Sequence, residues 1–289
     1  MRANRLMSVA LSFTVLLLSA SALDWPAASV AMVGEFGSPN LRVPIPGLVL
    51  RGADPSIRAA APGEISFIRR PSDSRTRLPS AFGTVLVAEG GDGIANVYAY
   101  LPEIKDPGAL RLSAGALVAT RGPAGLLDRD GFLFSLYDRK SSRWINPRLF
   151  LPHLADGKAP VIRHLSLDGK DHSWVMGEQK SIPQGSYSLA IEVAELADSG
   201  SEVIPVPPHF LRILINGEQL VELHAEVASV VEGKLSFFST LVGNAAVYDG
   251  SGRLTLASRL FPRGKTVIEL LARDFAGNER SLGWTFAVE

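Results

Sequence analysis

The chain has 289 residues, enough for two domains of ordinary size, and its 46% apolar and 20% charged content is that of a folded globular protein. Its 29 basic and 29 acidic side chains cancel, which excludes a bulk field that would draw it onto nucleic acid or an anionic membrane. It has no cysteine, which excludes disulfides, thiol nucleophiles and thiolate metal sites together.

In chain order, Arg2 and Arg5 precede an apolar run over residues 6–18, and Ala20-Ser21-Ala22 follows as a small-residue cleavage signal. That order predicts a secretory signal peptide over residues 1–22, so the mature chain starts near Leu23 and is exported to the periplasm or the extracellular space. The run is short for a bilayer span, and no cysteine follows it to carry a lipid. No stable membrane insertion of the mature chain is expected.

Between residues 30 and 150, short runs at 56–61, 64–69, 84–88, 94–101, 116–120 and 132–138 are rich in Val, Ile, Phe and Tyr and bounded by turn formers. They predict strands. Glu89-Gly90-Gly91-Asp92-Gly93 predicts a hairpin turn, because glycine supplies the positive φ such turns need. Residues 151–160 (LPHLADGKAP) are polar with a proline near each end and predict a linker, placed at 153–160. A second series follows at 161–167, 186–193, 210–215, 219–225, 254–260, 265–272 and 281–288. About seven strands at this spacing suit an immunoglobulin-like β-sandwich over 161–289. Asn216-Gly217 marks a type I′ hairpin, residues 274–278 a further turn, and residues 198–208, with three prolines, a loop. The expected fold class is all-β.

The phrases at 83–89 (GTVLVAE), 97–101 (VYAYL) and 144–147 (WINP) resemble the lysostaphin-type (LytM-like) zinc metalloendopeptidases of bacterial cell walls. Residues 33–37 (VGEFG), 57–65 (IRAAAPGEI), 109–125 and 144–151 are similar to further segments of that family, in the same order. The resemblance implies a lysostaphin-like (duplicated hybrid motif) β-barrel or sheet domain over 23–152. It also implies a zinc ion held by two His and one Asp, with two further His in catalysis. Here no His precedes His153. The family's His-x-Gly-x-Asp is matched by Ile45-Pro46-Gly47-Leu48-Val49, placing Ile45 and Val49 where ligands would stand. Its Tyr-Ala-His-Leu is matched by Tyr98-Ala99-Tyr100-Leu101, and its His-Leu-His by Phe132-Leu133-Phe134.

A hydrolytic zinc site takes three protein ligands, nearly always including imidazole, and leaves one position for water. Phenyl and aliphatic side chains offer no lone pair to a metal and no proton-transfer capacity. Tyr100 has a hydroxyl that can donate to an oxyanion, yet without a metal-activated water it has no nucleophile to serve. Other constellations are weak. Asp128 and Asp130 read as turn residues, as does Asp54. His153, His164, His172, His209 and His224 have no ligand-like spacing, and no Gly-x-Ser-x-Gly elbow is present. Arg69, Arg70, Arg75 and Arg77 surround a polar loop.

The expectation is therefore a non-enzymatic relative of these peptidases with no metal, no cofactor and no catalytic residue. Among degenerate relatives the implied role is binding peptidoglycan or regulating a cell-wall hydrolase. Two alternatives stay open: a metallopeptidase with a non-standard site, and an adhesion or scaffold protein acting through the second domain. Two states of the vestigial positions also stay open. Ile45, Val49, Tyr100, Phe132 and Phe134 either line an open groove or fill the space the site vacated.

Overall fold

A computed structural model describes residues 23–289 except 41–42, 74–79, 103, 105–109, 128–129, 197–202, 206–207, 232–233, 240–246, 249–252 and 257. The predicted signal peptide, Asp128, Arg75 and Arg77 lie outside the described residues, as does part of the predicted loop at 198–208. The fold is all-β and consistent with a lysostaphin-like architecture. The described non-strand elements are two short 3-10 turns, Pro71–Asp73 and Pro147–Leu149. No strand path closes on itself among the described residues, so the first half is open sheet rather than closed barrel.

Strands form where the sequence supplies β-branched and aromatic residues, and alternation sets their faces. In Gly264–Arg273, Thr266, Ile268, Leu270 and Ala272 are buried while Lys265, Val267, Glu269 and Leu271 turn outward. One 14-stranded sheet runs from Glu279–Val288 through Gly264–Arg273, Phe210–Ile215, Glu218–Val231 and Arg143–Ile145. It continues through Phe132–Asp138, Ile94–Leu101, Thr84–Glu89 and Gly63–Arg69. A seven-stranded sheet built around Val161–Asp168 and Gly185–Leu196 makes the other large layer of the second half. Leu165, Leu189 and Ile191 of that layer share one buried cluster with Leu211, Ile213 and Ile268 of the long sheet. Each such side chain stabilises the fold by about 1.5–3 kcal/mol.

The long sheet crosses the position of the predicted linker. Trp144 and Ile145 pair with Ala228 and Val227, at the far end of a 14-residue strand, Glu218–Val231. Residues 152–160 have no strand or helix of their own. The junction is finished by Asn146, which is 3% exposed. Its backbone N–H donates to the Glu226 carbonyl at 2.7 Å and its Nδ2 to the Ala225 carbonyl at 2.9 Å. Its Oδ1 accepts from the Arg148 N–H at 3.0 Å, capping the 3-10 turn that Pro147 opens without needing a hydrogen-bond donor.

Arg148 then carries a charge inward. Its Nη1 donates to Glu35 Oε1 at 2.8 Å, and its guanidinium lies 4.9 Å from the centre of the Phe275 ring. Burial raises the Glu35 carboxyl above its ordinary range, against the pull of the Arg148 charge. Removing one partner of a buried pair leaves the other charge uncompensated. Arg148→Ala is expected to lower unfolding free energy by about 3 kcal/mol or more. Glu35→Gln combined with Arg148→Met should recover much of that loss in a chemical-denaturation double-mutant cycle. A loss in the double variant equal to the sum of the single losses would show that the pair is not coupled.

Phe275 also meets His209, with ring centres 4.6 Å apart and a buried Nδ1 that has no partner among the described residues. Burial is the main influence lowering its pKa; His224, Arg273 and Arg148 add to the lowering and Glu226 opposes it. A depressed folded value means the unfolded chain binds the extra proton first. This contribution to stability is full above the unfolded pKa of about 6.5 and is lost as pH falls from there through the folded value. Melting curves between about pH 7.5 and about pH 5.5 should therefore show a smaller acid loss for His209→Gln than for the wild type. Parallel acid losses would rule out His209 as the source.

Candidate functional site

The Phe132–Asp138 strand lies between two partners, and its register decides which side chains meet. Leu133 is opposite Val49 on one side and Ala99 on the other; Phe134 is opposite Leu48 and Tyr98; Phe132 is opposite Leu50. Cross-strand neighbours share a face, so Val49, Leu133 and Ala99 point one way and Leu48, Leu50, Phe132, Phe134 and Tyr98 the other. Ile45, Val49, Ala99, Tyr100 and Leu133 form a separate buried cluster, with Val33, Val85 and Leu127 packed against it.

Three of the five expected positions, Ile45, Val49 and Tyr100, thus come together. Phe132 and Phe134 do not join them. Both rings lie in the main core, where Phe134 meets Tyr98 at 5.3 Å between ring centres. The Tyr98 hydroxyl oxygen accepts from the Ala60 N–H at 2.8 Å, and burial pushes its pKa up. The side-chain period of a strand is two, so a slip of one residue exchanges every side chain between faces. Leu133 is the residue of this strand that joins the Tyr100 cluster.

Tyr100 reaches that site by breaking alternation. Tyr98 and Tyr100 are two apart and would share a face on a regular strand, but Tyr100 has φ +57°. This left-handed conformation, held by a 2.7 Å bond from its N–H to the Phe82 carbonyl, puts Ala99 and Tyr100 in one cluster. For a bulky residue it costs roughly 1–3 kcal/mol. The ring is anchored at its tip, where Asn40 Nδ2 donates to the hydroxyl oxygen at 3.0 Å and also to the Leu126 carbonyl at 3.1 Å.

Gly47 is the motif residue that this chain retains, and its reason is steric. A Cβ there would stand 2.1 Å from Ser135 Oγ and 2.4 Å from the Phe134 carbonyl oxygen. The 45–49 segment therefore crosses the Phe132–Asp138 strand in backbone contact, with or without a metal. Ser135 is fully buried and its Oγ has no hydrogen-bond partner among the described residues.

Chemically, the cluster offers four aliphatic groups and one phenol. The residues present do not fit a zinc ion: the single oxygen belongs to Tyr100 and is engaged by Asn40. Ile45, Tyr100 and Leu133 are each 4% exposed and Val49 is 0% exposed, so the space is filled rather than open. Apolar surface does remain outside it. Phe82 and Leu126 are 49% and 56% exposed, and the Leu126 N–H bonds the Ala81 carbonyl at 2.7 Å, so the two stand side by side over Tyr100. The Phe82 and Tyr100 rings are 5.6 Å apart.

The remaining sequence candidates do not converge. His164 and His224 sit beside Glu192 and Glu222 at 3.4 and 3.2 Å, and His172 stacks on Trp174. Asp130 pairs with Arg121 at 3.7 Å, Arg70 with Asp73 at 3.7 Å, and Asp54 accepts from the Ser56 N–H at 2.6 Å. Asn40 and Leu133 were missed by sequence reasoning. The signal that points to Leu133 is the pairing of both neighbouring strands, which a motif match alone does not contain.

A protein-family model that carries no descriptive name matches residues 159–289, less than half of the chain. No curated protein matches the chain. Among solved structures, a chain of the SpoIIQ–SpoIIIAH pore-forming complex is 16% identical over 46% of this chain and 92% of its own length, with a TM-score of 0.39. The fold assignment rests on the strand order and register described above.

The packing at Gly47 gives a direct test. Gly47→Ala should destabilise by about 2 kcal/mol or more, since backbone on the facing strand must shift. Gly91→Ala, whose Cβ would meet nothing within 4 Å, should leave the melting temperature unchanged. Equal melting temperatures for both variants would refute the crossing contact.

Proposed function

We propose that this chain is an exported, catalytically inactive relative of lysostaphin-type peptidases that binds peptidoglycan or regulates a cell-wall hydrolase. In this reading residues 161–289 form an immunoglobulin-like module and residues 1–22 are removed on export. The supporting observation is the convergence of Ile45, Val49, Tyr100 and Leu133 into one buried cluster at the place where the family's ligands would meet. Such a cluster supplies neither an activated water nor a proton acceptor. The exposed Phe82 and Leu126 above it give the same surface an apolar contact for a wall polymer or a partner protein.

Purified protein should contain well under one zinc per chain, leave labelled cell walls uncut, and sediment with intact walls or change the rate of an added wall hydrolase. Phe82→Ala with Leu126→Ala should weaken that binding or regulation while the melting temperature stays within about 1 °C, because both side chains are half exposed. Stoichiometric zinc with chelator-sensitive wall cleavage would overturn the proposal. So would a protein that neither binds walls nor affects any wall hydrolase.

A further inference from the structure

A second surface lies on the opposite side of the Ile94–Leu101 strand from the Tyr100 cluster. Two recesses of 530 and 240 Å³ meet at Pro62, Gly90 and Gly91, beside the hairpin turn. The smaller one is lined by Asn96, which is 4% exposed and whose Oδ1 is buried with no hydrogen-bond partner among the described residues. A buried acceptor without a partner has lost its water and gained nothing in return, so it marks a place where a donor belongs. Around it Leu23, Ile94, Leu136 and Phe150 form apolar walls.

The rim carries three carboxylates, Glu64, Glu89 and Asp92, against two guanidiniums: Glu64 faces Arg111 at 4.0 Å, Glu89 pairs with Arg139, and Asp92 Oδ1 accepts from the Ile94 N–H at 2.9 Å. The excess of carboxylate disfavours an anionic ligand. The strand edge at the mouth is not free, because Glu64 is paired with Glu89 on one side and with Arg111 on the other. An extended peptide has no backbone to pair with at that point. The surface instead combines a buried amide acceptor, an apolar wall, carboxylate oxygens at the rim and a Gly90–Gly91 ledge without side chains.

We propose that this recess binds an N-acetylated neutral sugar, with the acetamido group in the smaller chamber. The acetamido N–H would donate to Asn96 Oδ1, its methyl would pack against Ile94, Leu136 and Phe150, and ring hydroxyls would donate to Glu64 and Asp92. The absence of Cβ atoms at Gly90 and Gly91 lets a flat pyranose ring approach the backbone. The inference rests on the wall-binding reading above and assigns its glycan contact to a site separate from Phe82 and Leu126.

The probes are a neutral trimer of N-acetylglucosamine and the matching glucose trimer, which has hydroxyls in place of the acetamido groups. Titrated into the full chain by calorimetry or ligand-observed NMR, the N-acetylated trimer should bind saturably and the glucose trimer at least tenfold more weakly. Asn96→Leu and Gly91→Phe should each weaken the N-acetylated trimer at least tenfold without lowering the melting temperature. A Cβ at Gly91 meets nothing within 4 Å, so Gly91→Phe fills the ledge and decides the matter if Asn96→Leu fails to fold. Equal affinity for the two trimers, tighter binding of a neutral acetylated tripeptide, or unchanged binding by Gly91→Phe would overturn the site. If Gly91→Phe still sediments with intact walls as the parent does, the recess is wrong and the wall-binding reading stands. If the parent itself does not sediment with walls, that reading loses its glycan arm and the recess proposal falls with it.

Discussion

The pairing of the Phe132–Asp138 strand on both of its edges is the constraint from which the rest of the molecule follows. On one edge it meets Ile94–Leu101, on the other first Leu48–Arg51 and then Arg143–Ile145. A strand held on both edges cannot slide without exchanging its faces, and here both faces are buried. One face supplies Phe132, Phe134 and Leu136 to the main core; the other supplies Leu133 to the Tyr100 cluster and Ser135 to the crossing beneath Gly47. The same strand passes the sheet to Arg143–Ile145, and through it to the second half.

The Trp144-Ile145-Asn146-Pro147 phrase has structural duties of its own. In sequence it reads as the end of a peptidase-like domain. In the fold its strand residues pair with Val227 and Ala228, its Asn saturates the Ala225 and Glu226 carbonyls, and its Pro opens the turn that aims Arg148 at Glu35. These are backbone and packing duties independent of any metal. Gly47 is of the same kind. Both are fixed by geometry, whereas Ile45, Val49 and Leu133 are fixed by burial.

The all-β class and the strands at 94–101 and 132–138 were legible because β-branched and aromatic runs there are bounded by strong turn formers. Ile45, Val49 and Tyr100, which the resemblance singles out, share one cluster in the fold. What was not legible depends on partners distant in sequence. The face of Phe132 against Leu133 is set by the register with Val49 and Ala99, more than thirty residues away in either case. The run at 219–225 gave no hint that its strand extends to Val231 and pairs with Trp144, because Glu226-Val227-Ala228-Ser229 has no sharp pattern of its own. Asn40 sits in a polar stretch, and only the fold brings it to the Tyr100 hydroxyl.

The energetics of the Tyr100 cluster favour apolar side chains. Imidazoles or carboxylates buried there would be polar groups short of partners. Aliphatic side chains avoid that penalty and add burial, at about 1.5–3 kcal/mol of stabilisation per side chain. A single ionisable group at Ile45, Val49 or Leu133 would be a liability beside the other two. Tyr100 is the exception, because its hydroxyl is satisfied by Asn40 while its backbone stays in the left-handed region. The bond from its N–H to the Phe82 backbone carbonyl offsets that strain and ties the outer loop to the filled cluster. The loop that carries the exposed Phe82 is thus positioned by Tyr100, so the filled cluster and the apolar surface outside it are set by the same residue.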